Sequence, residues 1–461
     1  MTPARPRLAF VDALRAFEAR LHRRWASQEG AAPQGLRSYR AAWIQQFAGS
    51  GEARRYQDLL AACASADPVL ISDFHPLGRS ARMLARLLRE TAWPRPPRVV
   101  LELLPAEVRV EAHALMSSEQ LTLVDGRSLA ETAPELLDAA RAVNAEIIGA
   151  WVPGTPGQRD EAAAQAWVER RQSGRDVVPE LLFFGDWHLA DPHLPRQLAQ
   201  RGARPVCIHQ SPAPLWERTD PADEEAVLAL TDGHYAWMHT PPLAFWTSAR
   251  LGRDAHDGRE AADTSARILE ELSAGMAEIL DLPAPAELPE VVDPQDWLGF
   301  WRSLPERERA ALSPQLRPQA PMPHPEDALI WMPDCPSWNQ LVDAAAGYLA
   351  RGSRLAEAGQ FGPWIAFRRI WARAWNPFLP TRSRASLRWE LGIPHGTRPL
   401  PREAAPGDLL DEAVQGEAVA AALCRHPLLD RAALRTLLRE GRHAFIWHHG
   451  MSTIQSSPLS A

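Results

Sequence analysis

Three short stretches hold residue types able to do chemistry together. In "VLISDFH", Asp73 and His75 stand directly after an apolar run. In "VVLELLP", Glu102 interrupts a run that is otherwise continuous and apolar. In "LLFFGDWHLADPHLP", Gly185, Asp186 and His188 follow the most hydrophobic run of the chain. An unpaired carboxylate inside a strand buried on both faces is costly, so Glu102 needs a partner, and such needs concentrate at functional sites. Two imidazoles and one or two carboxylates suit a divalent metal, or a general acid–base pair around a polarised substrate. The candidate metal ligands are His75, His188, Asp73 and Glu102, and the candidate general base is Glu102 or Asp73. Each also has a plainer role. Asp73 could cap the helix that begins near Pro76, and Glu102 could pair with Arg98 or Arg109. The repetition of small–acid–aromatic–His, "SDFH" then "GDWH", favours a shared site over separate turns.

For these residues to meet, their strands must end on one edge of a sheet. From residue 66 short apolar runs alternate with helical segments. The runs are "PVLIS" (68–72), "RVVLELL" (98–104), "EIIGAWV" (146–152), "ELLFFG" (180–185), "RPVCIH" (204–209) and "HYAWMH" (234–239). Between them, Met83, Leu84, Leu87 and Leu88 mark one amphipathic helix, and Leu129, Leu136, Ala140 and Val143 another. Such alternation predicts βαβ units in an α/β fold, with a mostly parallel central sheet flanked by helices. Ligands of such sheets bind beyond the carboxyl ends of the strands. No GxGxxG or GxxxxGK[ST] follows any run, so nucleotide binding has no motif support.

Four regions are expected. Residues 1–65 form an N-terminal helical segment, with Phe10, Leu14, Phe17 and Leu21 on one face, and 66–282 the α/β domain. A helix carrying Ile268, Leu272, Met276 and Ile279 closes that domain, a Pro/acidic linker spans 283–296, and 297–461 is a Trp/Arg-rich, mainly helical region. Within the last region, Trp364, Phe367, Ile370 and Trp371 recur on one helical face, and His443, His448 and His449 cluster near the end.

Composition narrows the functional classes. The chain has 461 residues, a hydrophobic content of 46% and a formal net charge of -7, which argue for a globular protein and against nucleic-acid binding. All 50 basic residues are arginine, leaving no lysine for Schiff-base or P-loop chemistry. Cys63, Cys207, Cys335 and Cys424 form no CxxC pair, so a zinc ribbon or redox dithiol is not expected. No apolar stretch is long enough to span a membrane and the N-terminus has no signal-peptide pattern, so the expectation is a cytoplasmic chain.

"VLISDFHPLGRSARMLARLL", "VVLELLPAE" and "FFGDWHLADPHLPRQL" together resemble the ChaN-like family, within the superfamily that holds Tiki proteases, TraB proteins and erythromycin-esterase-like hydrolases. The resemblance covers roughly residues 66–250 and includes "DGHYAWMHTPPLAFWTSAR" as a closing strand. It places Asp73 at the family's first acid, His75 at its first His, Glu102 at its strand Glu and His188 at its second His. Here the first acid is Asp rather than Glu, and Ser72 replaces the preceding Gly. The resemblance implies haem iron or a divalent metal (Zn, Mn or Fe) in the strand-end pocket, with Tyr235 as the candidate haem tyrosine. The alternatives are a metal-dependent hydrolase of ester or peptide bonds, or a non-catalytic scaffold whose Trp-rich C-terminal region binds a protein partner.

Overall fold

The structure is a computed structural model that describes residues 34–49, 51–74, 78–111, 121–173, 178–216, 225–231, 233–240 and 261–280. It also describes 16–21, 23–24 and scattered positions up to 345. His75, Trp364–Trp375, His443, His448 and His449 lie outside the described residues; of the residues described within 297–461, 338, 340–342 and 344–345 are helical and Met322–Pro323 and Leu329–Trp331 are strands.

One compact unit spans Trp25–Phe245. Its strands are β1 (Glu52–Arg54), β2 (Val69–Asp73), β3 (Arg98–Pro105), β4 (Arg109–Val110), β5 (Glu146–Trp151), β6 (Glu180–Gly185), β7 (Val206–Gln210), β8 (Ala226–Ala229) and β9 (His234–Met238). They form one nine-stranded sheet in the order β1-β8-β9-β7-β2-β6-β3-β5-β4. The six inner strands β9, β7, β2, β6, β3 and β5 run parallel, while β8, β1 and β4 join antiparallel at the edges. The class is α/β, as the alternation of runs and helices predicts.

The helices longer than four residues are α1 (Gln34–Gln46), α2 (Tyr56–Ser65), α3 (Gly78–Glu90), α4 (Pro134–Ala142), α5 (Pro156–Gln172) and α6 (Leu194–Ala199). Because inner strands are covered on both faces, successive side chains enter two different cores. Val69 and Ile71 join Leu84, Leu87 and Leu88 of α3 and Leu136 of α4 on one face. Leu70, Val100, Leu182 and Phe184 join Ala163, Ala164 and Trp167 of α5 and Leu198 of α6 on the other. The unit takes in residues 25–65, because β1 pairs with β8 and Leu59 and Leu60 of α2 belong to the first core.

Two details set the strand ends. In the parallel register Asp73 of β2 lies opposite Gly185 of β6, and Leu101 of β3 lies opposite Phe183. All three carboxyl ends therefore reach one edge at nearly the same level. Beyond Leu101 the pairing of β3 with β5 shifts, and the backbone of Pro105 crosses close over Gly149. A Cβ there would sit 1.8 Å from the Pro105 carbonyl oxygen, so only glycine fits. At the opposite edge, Arg98 bonds Glu146 at 2.6 Å and Glu180 at 2.7 Å, and Arg170 bonds Glu180 at 2.7 Å. These pairs tie β3, β5, β6 and α5 together at their amino-terminal side.

A second unit comprises Met1–Arg24 and Trp246–Ala461. It contains α7 (Ala261–Leu280), whose Ile268, Leu272, Met276 and Ile279 are buried, and a small sheet of β10 (Glu290–Val292), β11 (Met322–Pro323) and β12 (Leu329–Trp331). β10 falls inside the stretch read as a linker, where "EVV" is its only apolar run and pairs in parallel with β12. Phe17 packs onto α7 at Gly275, where a Cβ would meet the ring at 2.1 Å.

Candidate functional site

Glu102 is 3% exposed and accepts from three sides. Its Oε2 takes the Gly185 backbone N–H at 2.6 Å, and its Oε1 takes Arg159 NH1 at 2.9 Å and lies 3.3 Å from His188 Nε2. The carboxylate that interrupts the apolar strand is thus anchored by the glycine and the histidine of "GDWH" and by an arginine from α5. Its partner is neither Arg98 nor Arg109; those two bond Glu146. A carboxylate that only accepts, from two charged donors and a backbone amide, forms the stronger, charge-assisted kind of hydrogen bond.

His188 sits on a single 3₁₀ turn, Asp186–Leu189, that leaves β6 at Gly185. Its Nδ1 lies 2.5 Å from Asp160 Oδ1, so the ring is held between two carboxylates. Burial works against charge on this ring, but its hydrogen bonds to the Asp160 and Glu102 carboxylates outweigh it and push the imidazole pKa up to about 9. Arg159 and Asp160 come from the start of α5, which a Thr155–Gln158 capping box fixes. Thr155 N–H donates to Gln158 Oε1 at 2.8 Å, and Thr155 Oγ1 accepts from Gln158 N–H at 3.4 Å. The Arg159 guanidinium lies 4.7 Å from the centre of the Trp151 ring at the end of β5.

Tyr39 of α1 completes the cluster. Its hydroxyl donates to Asp160 Oδ2 and lies 3.3 Å from His188 Nδ1, while its ring stacks on His193 at 3.5 Å. Burial, followed by the neighbouring Asp160 carboxylate, drives the phenol pKa upward, which keeps Tyr39 a donor. A second chain runs beside this one: Asp186 Oδ1 lies 3.2 Å from His209 Nδ1, and His209 Nε2 lies 3.4 Å from His234 Nδ1.

Asp73 and Glu102 border one cavity of about 50 Å³, shared with Arg127, Thr132 and the apolar side chains of Leu101 and Phe183. Asp73 Oδ1 accepts from Ser80 Oγ at 2.9 Å, inside the first turn of α3. The structure therefore brings Glu102 against His188 and sets Asp73 on the same cavity. Tyr235 is elsewhere. It is half-buried on β9, packed on the first core, four strands from β3, or roughly 19 Å at the usual strand spacing.

Among the described residues no group of three or more His, Cys, Asp and Glu side chains is placed to hold a metal ion. Both ring nitrogens of His188 are engaged by carboxylates, and a guanidinium lies on Glu102. As they stand, these donors face one another. Spacing in the sequence did not reveal Asp160, Arg159, Tyr39 or His193. The first two sit in "GQRDEAAA", which reads only as the opening of a surface helix, and Tyr39 precedes the whole α/β alternation. Among the described residues no helix is long and apolar enough to cross a membrane. Comparison of the chain with protein-family models, curated proteins and solved structures finds no match.

Proposed function

We propose that this chain is a hydrolase of ester or amide bonds, with Glu102 as general base and His188 as general acid. One observation carries the reading: an imidazole buried at the strand edge with Glu102 on one nitrogen at 3.3 Å and Asp160 on the other at 2.5 Å. In this scheme Glu102 takes a proton from water, and the water oxygen bonds to the substrate carbonyl carbon. The Arg159 guanidinium receives the negative charge that develops on the carbonyl oxygen. The bond to the leaving alcohol or amine then breaks, and His188 protonates the departing atom. The proton held on Glu102 passes back to His188 across their contact. Asp160 and Tyr39 keep the ring oriented throughout. Asp73, on the wall of the same cavity, is the alternative base.

The test is a screen of ester and amide substrates with wild type and the Glu102→Gln, His188→Asn and Asp73→Asn variants, all checked for fold by circular dichroism. Loss of about 100-fold or more in kcat with Glu102→Gln and His188→Asn is expected. If only Asp73→Asn has that effect, the base is Asp73. If no variant reduces the hydrolysis that wild type performs, the reading is wrong.

A second reading rests on the two carboxylates bordering one cavity, since oxygen donors suit a divalent ion. Zn, Mn, Fe or haem iron would then be held by Asp73 and Glu102 with His75, after displacement of Arg159. Metal analysis of the purified protein, and a Soret band on haem addition that is lost in His75→Ala, test it.

A further inference from the structure

A second cavity, of about 200 Å³, lies on the α5 side of the sheet. Val100 of β3 and Ile148 and Ala150 of β5 form its floor, and Ala162, Ala163 and Ala166 of α5 its roof. Three alanines on α5 leave a cleft between the helix and the sheet, partly exposed at Ala150, Ala162 and Ala166. The cavity's two arginines have other duties, Arg109 with Glu146 and Arg170 with Glu180. What remains is an apolar chamber.

Its position relative to the acid–base cluster follows from the backbone. Val100 and Glu102 are two residues apart on β3 and share a face of the sheet. Ala162 and Ala163 follow Arg159 by three and four residues, so they lie one turn below it on the same face of α5. Trp151, on which Arg159 lies, is flanked by Ala150 and Val152, both of which line the chamber. The chamber's lining therefore stops two residues short of Glu102 on β3 and one helical turn short of Arg159 on α5. One turn from the chamber, Arg159 Nε is buried and, among the described residues, has no hydrogen-bond partner. An orphaned buried donor is costly and calls for an acceptor.

We propose that the chamber receives the acyl group of the substrate and that Arg159 Nε–H binds its carbonyl oxygen, which makes the preferred substrates esters of medium-length acids. This rests on the hydrolase reading and specifies its substrate. A cavity of about 150 Å³ accommodates benzene, so this chamber takes an acyl chain of about six to eight carbons.

The experiment has two arms on the full chain. In the first, kcat/KM is measured on para-nitrophenyl acetate, butanoate, hexanoate, octanoate and dodecanoate. A maximum at hexanoate or octanoate is expected, and Ala163→Leu, which fills the chamber, lowers the octanoate-to-acetate ratio about tenfold or more. Ala166→Val serves as a second filling variant should Ala163→Leu fail to fold. In the second arm free octanoate is titrated and followed by calorimetry, which needs no turnover. Saturable binding to wild type that is lost in the filled variants supports the inference, even if no ester is cleaved and the hydrolase reading falls. Ester cleavage with a flat chain-length profile, or octanoate binding equally to wild type and filled variants, overturns it while leaving the hydrolase reading intact.

Discussion

Replacing Glu102 by Gln removes the buried carboxylate that interrupts the apolar run of β3. The substitution keeps shape and volume but turns one acceptor oxygen into a donor. If the remaining oxygen faces Arg159 and His188, the new NH₂ meets the Gly185 N–H, now 2.6 Å from Oε2. If it faces Gly185, the NH₂ meets two cations. Either way a donor opposes a donor in a place only 3% exposed. Removing one partner of a buried pair costs about 3–5 kcal/mol because the other charge is left behind. Arg159 keeps a side-chain exposure of 17%, and His188 keeps Asp160, so the lower end, about 3 kcal/mol, is expected. An exposed comparison is Asp138→Asn, whose partner Arg141 lies 2.7 Å away with Asp138 62% exposed, and which should cost less than about 0.5 kcal/mol. Because the chain has two compact units, a single global melt is a poor readout. Hydrogen–deuterium exchange under increasing urea, read on peptides covering 98–105 and 180–185, reports the sheet alone. The double variant Glu102→Gln/Arg159→Met should cost at least about 1 kcal/mol less than the sum of its parts. If Glu102→Gln is no more harmful than Asp138→Asn, the carboxylate is not the anchor of the strand edge, and the account of the cluster is wrong.

Three further outcomes follow from the same structure. Burial, and then His209, push the His234 pKa down to about 4, so the folded state binds fewer protons there than the unfolded state. Its contribution is fully present above about 6.5 and falls by roughly 3 kcal/mol as pH drops to about 4. His234→Phe should remove that part of the acid sensitivity, and urea midpoints at neutral and acid pH that change equally in both proteins would contradict this. His188 moves the other way: with its pKa near 9, it is protonated at neutral pH and loses the proton that the proposed acid role needs as pH rises through that value. The kcat/KM profile of wild type should therefore carry an alkaline limb near 9, absent from the residual activity of His188→Asn. Gly149→Ala would drive a Cβ to 1.8 Å from the Pro105 carbonyl oxygen, a backbone atom that cannot rotate away. A loss of about 4 kcal/mol or more is expected, and soluble protein with unchanged exchange over 146–151 would refute the close approach.

The six parallel strands were legible in the sequence because strands covered on both faces read as unbroken apolar runs. β1, β4 and β8 were not. "EAR" is wholly exposed, "RV" has two residues, and "AVLA" carries too little pattern, so their places are set by pairing with neighbours rather than by burial. The same logic divides the site. Glu102 stood out because a lone acid contradicts its apolar strand, and His188 because "GDWH" echoes "SDFH". Arg159 and Asp160 contradict nothing: on a helix bearing many charges, a buried pair looks like any solvated one. Tyr39 could be found only by knowing that α1 lies against the turn after β6.

The two ends of the sheet carry buried charge clusters of different make-up. At the amino-terminal end the groups are Arg98, Arg109, Arg170, Glu146 and Glu180, three cations around two anions. These pairs tie the strands and α5 together. At the carboxyl end the groups are Glu102, Asp160, Arg159 and His188. Two carboxylates against one guanidinium leave a single negative charge, which only a protonated His188 cancels. The neutrality of this cluster therefore depends on one proton, shared between an imidazole and carboxylates 2.5 and 3.3 Å away. A fold that required only cohesion at this edge would be served equally well by a second arginine. A proton held between carboxylates at the end of β6 is what the proposed acid–base reaction at that edge requires.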